Sequence, residues 1–236
     1  MELGALQGIY CGPAPGPAEL WTRWNLDPAL LAALLLLAVA LRRSAAGLAG
    51  VAVLAAAFVS PLCALSAALF SARVVHHVAL VAIAAPLIAL ALPRRAPRSP
   101  VLPFLAHAII LWLWHLPAAY DLALGNVAVY WGMQATLLGS AVVYWAAVLN
   151  PRLAPGLAVG ATLGGYMQMA LLGALLTFAP IPLYQIHATA PLAFGLLPIT
   201  DQQLGGLIMW VPAGLPFLII GGMLARRGWQ AMGRPA

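Results

Sequence analysis

The sequence contains very little charge. Only 7% of its 236 residues are Asp, Glu, Lys or Arg, against about 25% in a soluble domain. So few charged groups cannot cover a water-facing surface. Hydrophobic residues make up 64% of the chain, which is more than one core of this length can enclose. The excess apolar side chains therefore face lipid, and we predict an integral membrane protein.

Lysine is absent, because all eleven basic residues are arginine. This excludes Schiff-base chemistry, and with it a retinal protein, and also excludes a P-loop. The chain further lacks a GxSG-like serine setting, an HExxH motif and paired acids within one helix. We therefore predict that the protein is not an enzyme.

Long apolar runs occur seven times, each close to the ~20 residues that cross a bilayer. They cover residues 26–41, 45–70, 74–92, 101–116, 127–149, 157–178 and 203–224. The prediction is an all-α, polytopic bundle of seven transmembrane helices, forming a single membrane domain over residues 1–236. An outer tail covers about residues 1–25, and a short basic cytoplasmic tail covers about residues 226–236.

The arginines indicate the orientation of the bundle. Connections after the odd-numbered helices carry nine of them, at positions 42, 43, 94, 95, 98, 152, 226, 227 and 234. Only Arg23 and Arg73 fall on the other side, together with all five acids. Since arginine concentrates in cytoplasmic connections, the amino terminus is predicted outside and the carboxyl terminus in the cytoplasm. Topology thus explains the net charge of +6 and argues against a nucleic-acid partner.

Histidine and sulfur concentrate toward the predicted outer side, and a polar group at membrane depth is a candidate for function. The candidates for metal ligands are His76, His77, His115, Met133 and Met209. Imidazole and thioether suit copper, and thioether favours Cu(I). Two other interpretations remain open, because methionine is a common packing residue and a membrane histidine can simply bond between helices.

The sequence leaves two questions open, one about a pair of histidines and one about the two cysteines. Adjacent residues on a helix point about 100° apart, so His77 is a better ligand candidate than His76. Cys11 and Cys63 either form a disulfide on an oxidising outer side or remain two free thiols.

The run DQQLGGLIMW at residues 201–210 presents polar groups and a soft ligand together. An acid and two amides, Asp201, Gln202 and Gln203, are predicted to cap a helix whose next turns carry Met209 and Trp210. These residues and Asp121 are further candidates for function.

At these residues the chain resembles the CtaG family of caa(3)-type cytochrome c oxidase assembly factors. The similarity rests on the DQQLGGLIMW run followed by Val-Pro, and on the segments 113–124 (LWHLPAAYDLAL), 58–62 (FVSPL), 85–87 (APL) and 10–15 (YCGPAP). The resemblance implies a bacterial plasma-membrane protein that matures a haem–copper oxidase, with copper delivery as the usual proposal. The implied partners are oxidase subunits or copper chaperones, besides the lipid bilayer.

The chain departs from the family pattern at two places. The family's third helix begins with His-Met-x-Gln-His, whereas here residues 73–77 read Arg-Val-Val-His-His, so only His77 corresponds directly. The family's His-x-x-Glu-His of the fifth helix corresponds to Tyr-Trp-Gly-Met-Gln at 130–134. A site using His76, His115 or Met133 would have to replace the missing ligands.

Two alternative functions are kept. A haem-binding protein is one, because His77 and His115 are expected at similar depth on neighbouring helices as axial ligands. A transporter of a small solute or metal is the other, since prolines interrupt helices 2, 3 and 7.

Overall fold

The computed structural model describes residues 9–92 and 99–232, and within these ranges it contains helices and no strand. Three short 3₁₀ segments lie outside the main helices: Leu20–Thr22, Gln185–His187 and Ala190–Phe194. The helices are α1 (Pro28–Leu41), α2 (Ala45–Val59), α3 (Pro61–Ala68), α4 (Phe70–Ala91), α5 (Val101–His115), α6 (Pro117–Gly125), α7 (Val127–Val148), α8 (Pro155–Phe178), α9 (Pro198–Trp210) and α10 (Gly214–Met232). The predicted all-α architecture is confirmed for the described residues.

Several helices are long and apolar enough to cross a membrane. In the described part of the chain, four helices are long and apolar enough: α4, α7, α8 and the unit Pro198–Met232 that joins α9 and α10. The bent pairs α2–α3 and α5–α6 raise this number to as many as six, and α1 is a shorter apolar helix. The protein thus has the helices of a multi-pass membrane protein. The count of seven and the orientation stay predictions.

Prolines produce the two sharp bends. Helices α2 and α3 meet at 52° and helices α5 and α6 at 76°, and in each case the second helix begins with a proline, Pro61 or Pro117. Proline lacks the N–H that would continue the preceding helix. Ser60 caps the new helix by accepting a hydrogen bond from the amide of Leu62 at 3.2 Å. The single helix predicted for residues 45–70 is therefore two helices, α2 and α3, and Phe70 already begins α4.

Helix α4 is the central element of the bundle. About 61% of its apolar window is buried, against 33% for α7 and 28% for α8, and it packs against α2, α3, α7 and α9. A π-helical stretch, Ala79–Ala84, lies just before Pro86. The carbonyl of Val81 in this stretch accepts a hydrogen bond from the Trp145 indole at 2.8 Å, which satisfies a buried acceptor where the helical ladder is irregular.

Three boundaries differ from the predicted ones. Helix α4 begins at Phe70 and not at the predicted residue 74. Arg73 therefore lies inside the helix, where it is 5% exposed. Because the first turns of α4 contain polar residues, hydropathy alone does not indicate where the helix begins. Helix α9 begins at Pro198 instead of Gln203, because proline is well suited to the first helical turn. Helix α10 continues to Met232, so most of the predicted basic tail is helical.

Candidate functional site

A small cavity lies at one end of the bundle, where α4 and α7 begin and α5 ends. We call this end the cavity end. The cavity volume is about 20 Å³, enough for one water molecule or one monatomic ion. Its lining residues are Phe70, Arg73, Val74, His76, His77, Trp114, His115, Tyr120, Met133, Gln134 and Leu137. The sequence predicts that this end faces outside.

His76 and His77 both line the cavity and are both buried. Neither ring nitrogen of His76 has a hydrogen-bond partner, and Nε2 of His77 has none either. The ring of His76 meets the ring of Phe58 edge-on, with centroids 4.7 Å apart. Buried polar atoms in native proteins are nearly always paired, so each exception requires an explanation. The sequence favours His77 over His76 as a ligand, but both side chains line the cavity.

His77 and His115 approach each other across the cavity, from α4 and α5. Their ring centroids are 5.3 Å apart and their planes are nearly perpendicular. Nδ1 of His115 lies 2.7 Å from the carbonyl oxygen of Leu111, an acceptor, so this nitrogen is the protonated one. Nε2 of His115 therefore keeps its lone pair. This arrangement leaves one unpartnered nitrogen on His77 and one free lone pair on His115.

The two candidate methionines are both buried but lie in different places. Met133 of α7 lines the cavity, whereas Met209 of α9 does not. Among the described residues no group of three or more His, Cys, Asp or Glu side chains is arranged to hold a metal. The donor set that remains consists of imidazoles and one thioether, which fits a soft cation of low coordination number such as Cu(I).

Arg73, Tyr130 and Gln134 are buried at the cavity end and were missed as site residues. The Arg73 guanidinium lies 4.8 Å from the ring centroid of Tyr130, and its Nη1 donates to the Tyr130 hydroxyl at 3.3 Å. The sequence spacing could have identified them. Arg73, His76 and His77 have the i, i+3, i+4 spacing that places residues on one helix face. Tyr130, Met133 and Gln134 repeat that spacing on α7.

The amino-terminal tail lies over this cluster. Tyr10 stacks on Tyr130 with ring centroids 5.2 Å apart. A disulfide between Cys11 and Cys63 fastens the tail to α3, which answers the question that the sequence left open. The hydroxyl of Tyr10 donates to Asp27 at 2.6 Å. Burial and this bond raise the pKa of Tyr10, and the same bond is the main cause that lowers the pKa of Asp27.

Asp201 positions the helix that carries the histidines. It is completely buried, and although it lies in the first turns of α9 it caps a different helix, α4. Its carboxylate accepts hydrogen bonds from the amides of Phe70 at 2.6 Å and Ser71 at 3.2 Å, and from the Ser71 hydroxyl at 2.5 Å. A carboxylate is favourable at a helix N-terminus because of the free N–H groups and the helix dipole.

The other residues of the 201–210 run also make structural contacts. The side-chain oxygen of Gln202 accepts a hydrogen bond from the Leu183 amide at 2.6 Å, and its nitrogen donates to the Ile181 carbonyl at 3.3 Å. The carbonyl of Trp210 accepts from Tyr166 at 2.9 Å, while Gln203 is partly buried. These bonds join α9 to the preceding loop and to α8.

Asp121 and His187 hold that loop against the cavity end. Asp121 accepts hydrogen bonds from the amides of Gln185 at 3.2 Å and Ile186 at 3.3 Å. Nε2 of His187 lies 2.9 Å from the hydroxyl of Tyr120, which itself lines the cavity. Burial lowers the pKa of His187 to about 4, so this imidazole is neutral in the folded protein at neutral pH.

His107 lies away from this group. Its Nδ1 is 2.9 Å from the hydroxyl of Ser140, which joins α5 to α7. The observation matches the alternative in which a membrane histidine bonds between helices.

The family profile described as cytochrome c oxidase caa3 assembly factor matches residues 31–98 and 94–231. The chain belongs to this family. No curated protein and no solved structure matches it. The family resemblance stated from the sequence is thereby confirmed.

Residues of the segments 73–77 and 130–134 meet in space. Arg73, Met133 and Gln134 all line the cavity, and Tyr130 contacts Arg73. This member of the family therefore has a guanidinium, a thioether and an amide at positions around its buried histidines.

Proposed function

We propose that the protein acts in cytochrome c oxidase assembly by holding Cu(I) at the cavity. It would receive the ion from a copper chaperone or pass it to an oxidase subunit. The observation that carries this proposal is the meeting of three candidate ligands, His77, His115 and Met133, around one volume of about 20 Å³. A buried imidazole nitrogen without a partner is costly unless something binds it.

The donor types support copper over haem. Two imidazoles and a thioether are ligands that a soft, monovalent cation accepts. A cavity of about 20 Å³ is far too small to enclose a haem. The Arg73 guanidinium beside the histidines also favours an ion of charge +1 over a divalent ion, because repulsion increases with the charge of the incoming ion.

The proposed location is the outer face of the bacterial inner membrane. The distribution of arginine supports this orientation. The disulfide between Cys11 and Cys63 supports it too, since disulfides form and persist in oxidising compartments such as the periplasm. Membership of an assembly-factor family supports a non-catalytic role.

The copper proposal is tested with purified protein in detergent, loaded with Cu(I) under anaerobic conditions. We expect about one Cu(I) per chain, because the cavity volume admits one ion. His77→Ala and Met133→Leu are expected to weaken binding by about tenfold or more, each by loss of one ligand.

Met209→Leu is the matched control, because Met209 is another buried methionine but does not line the cavity. It is expected to bind Cu(I) like the unaltered protein. Equal losses in the Met133→Leu and Met209→Leu variants, or no binding by the unaltered protein, would rule out this site.

The role in assembly is tested separately in cells. A deletion strain at limiting copper is expected to make the oxidase subunits but to lack activity of the copper-containing oxidase. Normal oxidase activity in that strain contradicts the role in assembly whatever the purified protein binds.

A further inference from the structure

Arg73 carries a buried charge that no described acid pairs. Its side chain is 5% exposed, and the partners of Nη1 are the neutral hydroxyls of Ser66 at 3.4 Å and Tyr130 at 3.3 Å. In the described ranges the ion pair found is Arg23 with Glu19, and no carboxylate lies within 4.0 Å of Arg73. The carboxylate of Asp201 is bonded to the start of α4 instead. A buried charge of this kind is costly unless a counter-charge accompanies it.

The polar atoms without partners around the same cavity are mostly able to donate. Nη2 of Arg73 and Nε2 of Gln134 are buried and unpartnered, and both are donors only. His76 and His77 add further unpartnered ring nitrogens, and a neutral imidazole carries one N–H. An acceptor with negative charge that receives several hydrogen bonds would satisfy these donors.

The volume selects the size of that acceptor. About 20 Å³ admits a single small species, which excludes carboxylates, sulfate and phosphate. A water molecule fits but leaves the guanidinium charge uncompensated. The apolar walls at Phe70, Val74 and Leu137 reduce the local dielectric and so strengthen the attraction between an anion and Arg73.

We infer that, in the copper-free protein, the cavity holds one monatomic anion of the halide class against the Arg73 guanidinium. The anion accepts hydrogen bonds from Nη2 of Arg73 and from Nε2 of Gln134. This inference does not rest on the copper proposal, because it concerns different atoms and its test contains no metal.

The test is equilibrium dialysis of metal-free, detergent-solubilised protein against radioactive chloride in a gluconate buffer. We expect saturable binding of about one chloride per chain. Bromide is expected to compete, whereas sulfate at the same concentration is not. Absence of saturable chloride binding, or displacement by sulfate as effective as that by bromide, overturns the inference.

Variants assign the anion to Arg73. Arg73→Gln is expected to weaken chloride binding by about tenfold or more, because it removes the charge and its charge-assisted hydrogen bonds. Arg73→Lys keeps the charge and is expected to retain part of the binding. Arg23→Gln is the matched control, since it removes one arginine from the same predicted side, but this arginine is only partly buried and is paired with Glu19.

Equal chloride binding by Arg73→Gln and the unaltered protein overturns the inference, and so does an equal loss in Arg23→Gln. Should Arg73→Gln fail to fold, two other results test the inference. Arg73→Lys is expected to bind chloride more weakly than the unaltered protein, and equal binding overturns the inference. The unaltered protein is expected to prefer bromide to sulfate, and equal competition by the two overturns it.

Discussion

The cap that Asp201 provides to α4 yields a quantitative prediction for Asp201→Asn. The carboxylate is fully buried and accepts three hydrogen bonds from the first two residues of α4. Asparagine has the same shape but only one oxygen, so its NH₂ group must face a donor. The substitution removes at least one hydrogen bond to a charged group, worth about 1.5–3 kcal/mol. It also removes an anion from the helix N-terminus, worth about 0.3–1 kcal/mol.

The expected loss in the free energy of unfolding is therefore roughly 2–4 kcal/mol. It is measured by titrating the protein from detergent micelles into SDS and following helix content by circular dichroism. Because α4 carries His76 and His77, the loss of the cap is also expected to reduce Cu(I) binding.

Asp27→Asn is the matched control. Asp27 also caps a helix, by accepting a hydrogen bond from the Ala29 amide at 2.9 Å, but it lies near the surface. Asparagine is a good N-cap, and its NH₂ group can donate to the Tyr10 hydroxyl, which now donates to Asp27. The expected loss there is therefore below about 1 kcal/mol. A double-mutant cycle of Asp201→Asn with Ser71→Ala is expected to show coupling, since the two side chains are bonded. A loss for Asp201→Asn no larger than that for Asp27→Asn would refute this reasoning.

Two further predictions concern the loop and the helix packing. The pKa of His187 is about 4 in the fold and 6.5 without it, so below pH 6.5 the unfolded chain binds the extra proton. The contribution of His187 to stability is therefore expected to fall as pH drops from 6.5 toward 4, by up to about 1.4 kcal/mol per pH unit. Stability is accordingly expected to fall less steeply in His187→Gln than in the unaltered protein. Gly206→Ala is expected to destabilise the protein by about 1–3 kcal/mol, because its Cβ would lie 2.5 Å from the Thr177 amide nitrogen. Gly222→Ala, where nothing lies within 4 Å, is expected to be neutral or slightly stabilising in the same SDS titration.

Both predictions have clear contrary outcomes. An identical pH dependence in His187→Gln and the unaltered protein would show that His187 does not titrate as its burial requires. Equal stability of the Gly206→Ala and Gly222→Ala variants would show that α8 and α9 are not in the close contact described.

Several contacts at the cavity end could not be predicted from the sequence, because they join residues far apart in the chain. Asp201 and Phe70 are 131 positions apart, so a rule for local capping assigned the acid to its own helix. The boundary of α4 was missed for the same reason, since its first turns are polar and are stabilised by a residue of α9. The two cysteines, 52 residues apart, could be named but not paired.

The sequence by itself determined the class of the protein and its family. Low charge and long apolar runs are properties of composition, and they required a helical membrane protein wherever the helices packed. The ordered motifs identified the family, which the profile match confirmed. The separation of arginine from acid along the chain likewise predicts an orientation without reference to packing.

Only the tertiary structure decided which candidates share a site. It placed His76, His77, His115 and Met133 around one cavity and Met209 elsewhere, and it added Arg73 and Gln134. The physical reason is that helix periodicity gives the face on which a residue lies, whereas the rotation and depth of one helix against another depend on side-chain packing across the whole bundle.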